Sequence, residues 1–206
     1  MTTNTHQPKL LIGLIGQAGS GKDTVARMLR DYWVRQHAAS VQLAFADPVR
    51  DLAATFLRGF GVRDPYRRVN DPELKNIVVD DVSMSPRRIM QTLGTDWAHP
   101  NAGRDVWIRS LKIRLHEAVR AGMKHVVISD VRFEVEADWL RSQGGVLWRI
   151  DRPGMEPVLE HVSETEMAQI RSHRVIGNDG TLADLERTVG FELARAHYEA
   201  GLRWAA

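Results

Sequence analysis

The feature that most constrains the fold is a glycine-rich segment between an apolar run and an amphipathic run. Residues 9–16 (KLLIGLIG) are almost entirely apolar, as in a central parallel strand buried on both faces. Residues 16–22 (GQAGSGK) follow the pattern G-x-x-x-x-G-K, and the apolar residues after them recur at helical spacing. A strand that turns into a helix at such a segment brings backbone N–H groups and a helix N-terminus close to an anion. The sequence therefore predicts a phosphate-binding loop.

This loop is suited to the triphosphate of ATP. Its glycines permit a tight turn, and Lys22 would reach the β- and γ-phosphates and act in catalysis. The residues that we expect to bind the nucleotide are Gly16, Gly19, Ser20, Gly21, Lys22, Asp23 and Thr24.

One position departs from the commonest form of the loop. Asp23 stands where a Ser or Thr hydroxyl usually ligates Mg²⁺, which disfavours GTPases and motor ATPases. The loop resembles that of nucleoside monophosphate kinases, which also lack this hydroxyl. Asp23 could hold a magnesium-bound water or lie near the phosphate acceptor; equally, it could be a first-turn acid favoured by the helix dipole.

Strands and helices alternate along the rest of the chain. Further strands are predicted at 41–46, 125–130, 146–150 and 174–176, with helical spacing between them. This order predicts an α/β fold of the P-loop NTPase type, three-layered, with a mostly five-stranded parallel sheet. We expect one kinase domain over 9–206 with a helical acceptor-binding insertion at about 47–105, a short lid-like segment at about 151–173 and a flexible tail at 1–8.

Composition excludes several classes of protein. There is no cysteine, so disulfides and thiolate metal sites are impossible. No apolar run reaches the roughly 18–20 residues of a membrane span, and residues 1–9 do not resemble an export signal. The formal net charge of +2 and the lack of a basic run argue against nucleic-acid binding. We expect a cytoplasmic protein without membrane or nucleic-acid partners.

An acid and an arginine follow the third predicted strand. Asp130 closes the buried run 125–130, the position from which an acid orients Mg²⁺, here through a bound water. The alternative is that Asp130 caps the following helix. Arg132 would lie at the same edge of the sheet and could clamp the transferred phosphoryl group.

Polar residues of the predicted insertion are candidates for binding the phosphate acceptor. An arginine could hold its phosphate, amide and carboxylate groups could hydrogen-bond a base, and an indole could stack on one. The candidates are Asp47, Arg50, Arg88, Gln91, Asp96 and Trp97. Trp97 also continues the four-residue spacing of Ile89 and Leu93, which favours core packing for it. Asp47 is also expected to be the N-cap of a helix whose first residue is Pro48.

Two further segments complete the predicted site. Arg152 and Glu164 lie in the lid-like segment, which would exclude water from the phosphates. Asn178 could border the adenine, although Asn178-Asp179-Gly180 is also a plain turn and N-cap sequence.

Six blocks in order carry a family resemblance: GQAGSGKDTVA, LAFADPVRD, RRIMQTLGTDW with DVWI, VISDVRFEVEADWLRSQGG, HVSE and IGNDGTLADL. Over about residues 11–185 the chain resembles the deoxynucleoside monophosphate kinases of tailed phages. The resemblance implies a P-loop kinase that transfers the ATP γ-phosphate to a deoxynucleoside monophosphate (dNMP) with Mg²⁺, often as a homodimer. His99-Pro100 stands where relatives usually carry another arginine, which puts one acceptor contact in doubt.

Two other functions stay open at this stage. A kinase for a hydroxyl acceptor, such as the dephospho-coenzyme A kinases, would need a base, and Asp47 could serve. A nucleotide-sensing module without catalysis would bind ATP and transfer nothing.

Overall fold

A computed structural model describes residues 7–155 and 162–205, with backbone alone at 162–164 and 202–205. The chain forms two compact units, one within residues 1–44 and 111–206 and the other within 45–110. No helix in the described ranges is long and apolar enough to cross a membrane.

The first unit is built on one sheet. Its strands are β1 (Leu10–Ile15), β2 (Ser40–Leu43), β3 (His125–Ile128), β4 (Val146–Asp151) and β5 (Arg174–Gly177). Their spatial order is β2-β3-β1-β4-β5, and every neighbouring pair is parallel. The predicted five-stranded parallel sheet is therefore confirmed. Because the chain extends from β1 first to one side and then to the other, β1 ends at the switch point where ligands bind in such sheets.

The described α-helices are α1 (Lys22–Arg35), α2 (Asp47–Gly59), α3 (Pro65–Asn70), α4 (Pro86–Gln91), α5 (Ala98–Ala102), α6 (Val106–Arg120), α7 (Glu134–Ser142), α8 (Val162–Gln169) and α9 (Leu182–Ala205). Short 3₁₀ turns lie at Leu74–Asn76 and Asp80–Val82, and a π-helix at Thr92–Trp97.

Helices cover both faces of the sheet. On one face, α1 and α9 pack against alternate residues of β1, together with Trp148, Ile150 and Ile176. Helix α7 lies on the other face. It approaches β1 closely because Gly13, in the middle of that strand, has no side chain. A Cβ at Gly13 would stand 2.8 Å from side-chain carbons of both Leu140 in α7 and Leu147 in β4. The three layers expected from the sequence are thus present, as in other α/β domains.

Two predicted strands are shorter than expected. The runs 41–46 and 125–130 were expected to be strands throughout, but pairing ends at Leu43 and Ile128, which are opposite each other. Beyond them the Ser129 N–H donates to the Leu43 carbonyl and the Val131 N–H donates to the Leu14 carbonyl. Residues 44–46 and 129–130 therefore lie in loops at the carboxyl edge.

The second unit is helical and has a small core of its own. Residues of α2, α3, α4 and the turn before α4 form this core: Ala53, Ala54, Leu57, Val69, Val79 and Ile89. The expected N-cap role of Asp47 is wrong. Pro48 favours the first turn of a helix, but the helix begins one residue earlier, so Asp47 is its first residue and Ala46 precedes it as N-cap.

The expectation that Trp97 packs in the core is also wrong, because its side chain is 57% exposed. The π-helix at Thr92–Trp97 adds one residue to a turn and moves the buried face on by one position. The buried residues after Ile89 are therefore Gly94 and Ala98. Gly94 lies against the Val49 side chain, because a Cβ added to Gly94 would stand 3.2 Å from a Val49 methyl carbon.

A buried aromatic cluster closes the end of β3 that is opposite the carboxyl edge. The Trp33 and His125 rings stack with centroids 4.9 Å apart, and the Trp33 indole N–H donates to Nε2 of His197 at 3.1 Å. Burial, with a further electrostatic effect of His197, Lys9 and Lys124, lowers the pKa of His125 to about 4. Burial also lowers the pKa of His197. Both imidazoles are therefore held neutral in the fold.

This cluster predicts acid-sensitive stability. An unfolded histidine binds a proton as pH falls through about 6.5, whereas folded His125 does so only near pH 4. The unfolding free energy should therefore decrease over that pH range. We expect a smaller loss of Tm between pH 7 and pH 4.5 in His125→Phe than in the wild type, measured by circular dichroism. The exposed His37→Asn variant should keep the wild-type slope, and equal slopes in all three proteins would contradict this account.

Candidate nucleotide-binding site

The loop between β1 and α1 has a backbone that only glycine tolerates at three positions. Gly16, Gly19 and Gly21 have φ values of 153°, 86° and 103°. At Gly16 space is also limiting, because a Cβ would stand 2.6 Å from the Ile150 carbonyl oxygen and 2.7 Å from Ser20 Oγ. The loop therefore lies directly against the end of β4.

The loop presents groups suited to an anion. Helix α1 begins at Lys22, and its N-cap Gly21 has no side chain that could compete for the first-turn N–H groups. Ser20 Oγ is buried and has no hydrogen-bond partner among the described residues. Lys22 Nζ donates to the carbonyl oxygens of Gly16 at 2.5 Å and Gln17 at 2.6 Å, which holds the ammonium over the loop. Backbone donors and a cation thus converge here.

Asn178 fixes the end of this loop from the turn after β5. Its Nδ2 donates to the Ser20 carbonyl at 2.8 Å. This contact requires glycine at the next residue, because a Cβ on Gly21 would stand 2.5 Å from Asn178 Nδ2. A peptide unit is planar and trans, so fixing the Ser20 carbonyl also fixes the direction of the Gly21 N–H. Asn178 therefore orients a loop N–H group, whereas the sequence suggested either a border to the adenine or a plain turn and N-cap.

The loop opens into a cavity of about 300 Å³. The lining residues are Gly19, Gly21, Lys22, Asp23, Thr24, Arg152, Asn178, Leu182 and Leu185. The structure thus brings together the loop, the Asn178 turn and the first turn of α9. The lining includes two cations, Lys22 and Arg152, and two leucines, and most ligand sites combine such polar and apolar groups.

The lid-like segment is described only in part. The exposed Arg152 lines the cavity, and its Nη1 lies 3.5 Å from the Gly19 carbonyl oxygen. The side chain of Glu164 lies outside the described residues. Arg149 in β4 lies just before this segment, and its Nη2 donates to the carbonyls of Met167, Ala168 and Ile170. Arg149 therefore caps the C-terminal end of α8.

Asp130 and Arg132 lie in the connection between β3 and α7. Asp130 is buried, and Arg132 is half-buried. The alternative that Asp130 caps α7 is wrong, because Phe133 is the N-cap and Glu136 supplies the side-chain acceptor. Glu136 Oε2 accepts the Arg132 N–H at 2.8 Å and the Phe133 N–H at 3.1 Å.

Glu136 is a functional candidate that the sequence analysis missed. It is 4% exposed, and burial, with a smaller effect from nearby Asp130, raises its pKa to about 8 against the opposing hydrogen bonds. The sequence feature that could have identified Glu136 is its position three residues after the N-cap, from which a glutamate side chain reaches back to the N-cap N–H. It was overlooked because the N-cap residue here is phenylalanine.

The predicted acceptor residues all lie in the second unit. Arg50 Nη1 contacts Asp47 Oδ1 at 2.6 Å, and Arg88 Nη2 lies 3.4 Å from Asp96 Oδ2. Gln91 is half-buried at the end of α4, and Trp97 is exposed. These contacts bring the acidic and basic candidates together in pairs, and their roles in acceptor binding stay predictions.

The Asn178 contact gives a test of the loop. Asn178→Ala removes the donor to the Ser20 carbonyl, so we expect the Kd for ATP to rise roughly tenfold, which corresponds to one lost hydrogen bond of about 1.4 kcal/mol. Isothermal titration calorimetry measures this, with the exposed neighbour Asp179→Asn as the control. An unchanged Kd in Asn178→Ala would contradict the orienting role.

The chain is similar in sequence to a family of kinases. A sequence profile of the deoxynucleotide monophosphate kinase family matches residues 62–189, more than half of the chain. A protein of Acanthamoeba polyphaga mimivirus assigned to these kinases is 31% identical over 183 residues, 81% of this chain and 86% of that protein.

The deoxynucleotide monophosphate kinase of Enterobacteria phage T4 is 31% identical over 101 residues, 49% of this chain and 42% of that enzyme. Among solved structures, an APS kinase of Mycobacterium tuberculosis is 13% identical with a TM-score of 0.44, over 91% of this chain and 99% of that one. The chain belongs to the deoxynucleotide monophosphate kinase family, because the family profile matches more than half of it and the mimivirus protein is similar to it over most of both chains.

Proposed function

We propose that this protein transfers the γ-phosphate of ATP to the phosphate of a dNMP, giving ADP and a deoxynucleoside diphosphate (dNDP). The observation that carries the proposal is the phosphate loop with Lys22 held over it, beside a cavity of nucleotide character, in a chain of this family. Kinases of the family are named for this acceptor.

The reaction needs charge stabilisation more than a strong base. An oxygen of the dNMP phosphate attacks the γ-phosphorus, and the bond from that phosphorus to the β–γ bridging oxygen breaks, leaving ADP. The attacking oxygen is already anionic, so no proton has to be removed from it. Catalysis then depends on alignment and on cations that offset the charge of two polyanions. We assign Lys22 and Arg132 to that role, with Arg152 as a cation of the lid-like segment.

Mg²⁺ is the metal that this reaction would use. In kinases it is bound by one or two carboxylates together with the phosphates of the nucleotide, and it neutralises charge between the β- and γ-phosphates. The described part of the chain contains no group of three or more side chains that could bind a metal without the nucleotide. Asp130 at the end of β3 and Asp23 in the first turn of α1 are the carboxylates that fit such a shared site. We propose Asp130 as the ligand, through a bound water.

Acceptor binding is assigned to the second unit. Arg88 is exposed at the first turns of α4, where a guanidinium can grip a phosphate through two hydrogen bonds. Gln91 and Asp96 carry the amide and carboxylate groups for a base edge. With Trp97 exposed, its indole is available for stacking on a base. Arg50 and Asp47 are proposed as a paired contact to the acceptor.

The two other functions gain no support from specific observations. Transfer to a hydroxyl would need Asp47 as a base, and its carboxylate is paired with Arg50. We expect Asp47→Asn to retain at least a tenth of the wild-type kcat with a dNMP. A homodimer and a cytoplasmic location stay predictions, and analytical ultracentrifugation tests the former.

The reaction is tested by steady-state assays with Mg-ATP and each of the four dNMPs, following ADP through a coupled assay. We expect turnover with at least one dNMP and a lower kcat/KM for the matching ribonucleotide. Lys22→Met should lower kcat roughly 10²–10³-fold, as for removal of one transition-state donor. Lys9→Met, which removes an exposed lysine before β1, is the control. No ADP with any dNMP would refute the proposed function.

The acceptor assignment predicts a separation of the two substrates. Arg88→Ala should raise the KM for the dNMP roughly tenfold, because a charged hydrogen bond to phosphate is lost. The KM for ATP should change less than twofold. Arg63→Ala, which removes an exposed arginine of the same unit, should change neither value. Equal increases in both KM values for Arg88→Ala would show that Arg88 does not recognise the acceptor.

A further inference from the structure

A buried carboxylate supports the connection between β3 and α7. Four residues, Asp130 to Phe133, make up this connection beyond the loop residue Ser129. Val131 and Phe133 are buried with 1% and 5% exposure, whereas Arg132 between them is half-buried. Three hydrogen bonds hold the backbone of this connection. The Val131 N–H donates to the Leu14 carbonyl, and the N–H groups of Arg132 and Phe133 both donate to Glu136 Oε2.

We propose that Glu136 is a positioning residue of the phosphoryl-transfer centre. Its side chain holds Arg132 in place by accepting hydrogen bonds from the N–H groups of Arg132 and Phe133. This inference rests on the proposed function. It assigns a role to a side chain that itself touches no substrate.

The first support is geometric. Glu136 is the third residue of α7, and from this position a glutamate side chain reaches back to the N-cap N–H. Here one oxygen accepts two successive N–H groups, those of Phe133 and of Arg132 before it. An aspartate is one methylene shorter and cannot span the same distance with unchanged backbone. The contact therefore fixes the backbone of the residue that carries the catalytic guanidinium.

The second support is burial. A glutamate at this helix position ordinarily lies on the surface, where its capping contact costs no desolvation. Glu136 is instead 4% exposed, among Ala137 and Leu140 of the same buried helix face. An apolar residue would fill the space without the cost of burying a carboxyl group. The burial is explained if the two hydrogen bonds must persist while water is excluded from the site.

The third support is electrostatic. Glu136 is close enough to Asp130 and to the Arg132 guanidinium for both charges to act on its carboxyl group. Glu136 is thus linked to both residues that we assign to the transfer centre, to Arg132 through a backbone hydrogen bond and to Asp130 through its charge. A change in its position would alter the surroundings of both at once.

Three substitutions separate the hydrogen bonds from the carboxyl group itself and from the length of the side chain. Glu136→Gln keeps the length and one acceptor oxygen, and we expect kcat to stay within threefold of the wild type. Glu136→Ala removes the acceptor, and we expect kcat to fall at least tenfold while both KM values change less than threefold. Glu136→Asp keeps the carboxyl group but is too short, and its kcat should fall as well. Asp138→Ala, an exposed acid of the same helix that pairs with Arg141, should leave kcat unchanged.

A double-mutant cycle with Arg132 tests whether Glu136 acts through that residue. If it does, adding Glu136→Ala to Arg132→Ala should lower kcat by less than threefold further. Tm is measured for every variant, and all rates are compared below the lowest Tm. If Glu136→Ala does not fold, Glu136→Gln and Glu136→Asp still decide the question, because the inference predicts an active glutamine variant and an impaired aspartate variant.

Several results would overturn the inference. These are a Glu136→Ala enzyme with a lowered Tm and wild-type kcat, a glutamine variant as impaired as the alanine variant, or additive effects in the cycle. Native-state amide exchange of Arg132 and Phe133 is a readout without turnover, and it should quicken in Glu136→Ala but not in Glu136→Gln. A wild type inactive with every dNMP refutes the proposed function, whereas unchanged exchange in Glu136→Ala refutes this inference by itself.

Discussion

The turn from β1 into α1 is held by one contact on which the site depends: the Asn178 amide donates to the Ser20 carbonyl across the space that a Cβ of Gly21 would occupy. This contact joins the turn after β5 to the loop after β1, although β4 lies between the two strands. It fixes one peptide plane of a loop whose N–H groups must face an anion. The absence of side chains at Gly16 and Gly21 is therefore a spatial requirement as well as a conformational one.

The loops after neighbouring strands make up the rest of this edge. In parallel sheets all carboxyl ends meet at one side, and β1 and β3 are adjacent, so the phosphate loop and the segment from Asp130 to Phe133 share that side. The backbone of each of these two loops is held by a side chain from another part of the chain. Asn178 does this for the first loop and Glu136 for the second, while Arg149 caps α8, the helix within the lid-like segment.

The features that could be predicted from the sequence are those that leave a periodic pattern or a motif in it. Buried strands and helical faces leave periodic patterns, and the glycines before Lys22 leave a motif, so the sheet and the loop could be predicted. The π-helix could not, because its one extra residue leaves no pattern of residue types, and Trp97 was misplaced as a result. The roles of Glu136 and Arg149 were missed for a related reason. Their hydrogen-bond partners are backbone groups, which every residue carries and which therefore leave no pattern in the sequence. The acceptor residues were identified by type and order alone.

The central claim is that the γ-phosphate of ATP goes directly to a dNMP. The most direct measurement follows the label from [γ-³²P]ATP in the presence of Mg²⁺ and the preferred dNMP, with products separated by thin-layer chromatography. The account predicts that the label appears in the β-phosphate of the dNDP and that its appearance requires Lys22. Label released only as inorganic phosphate, or label in dNDP at an equal rate in Lys22→Met, would contradict it.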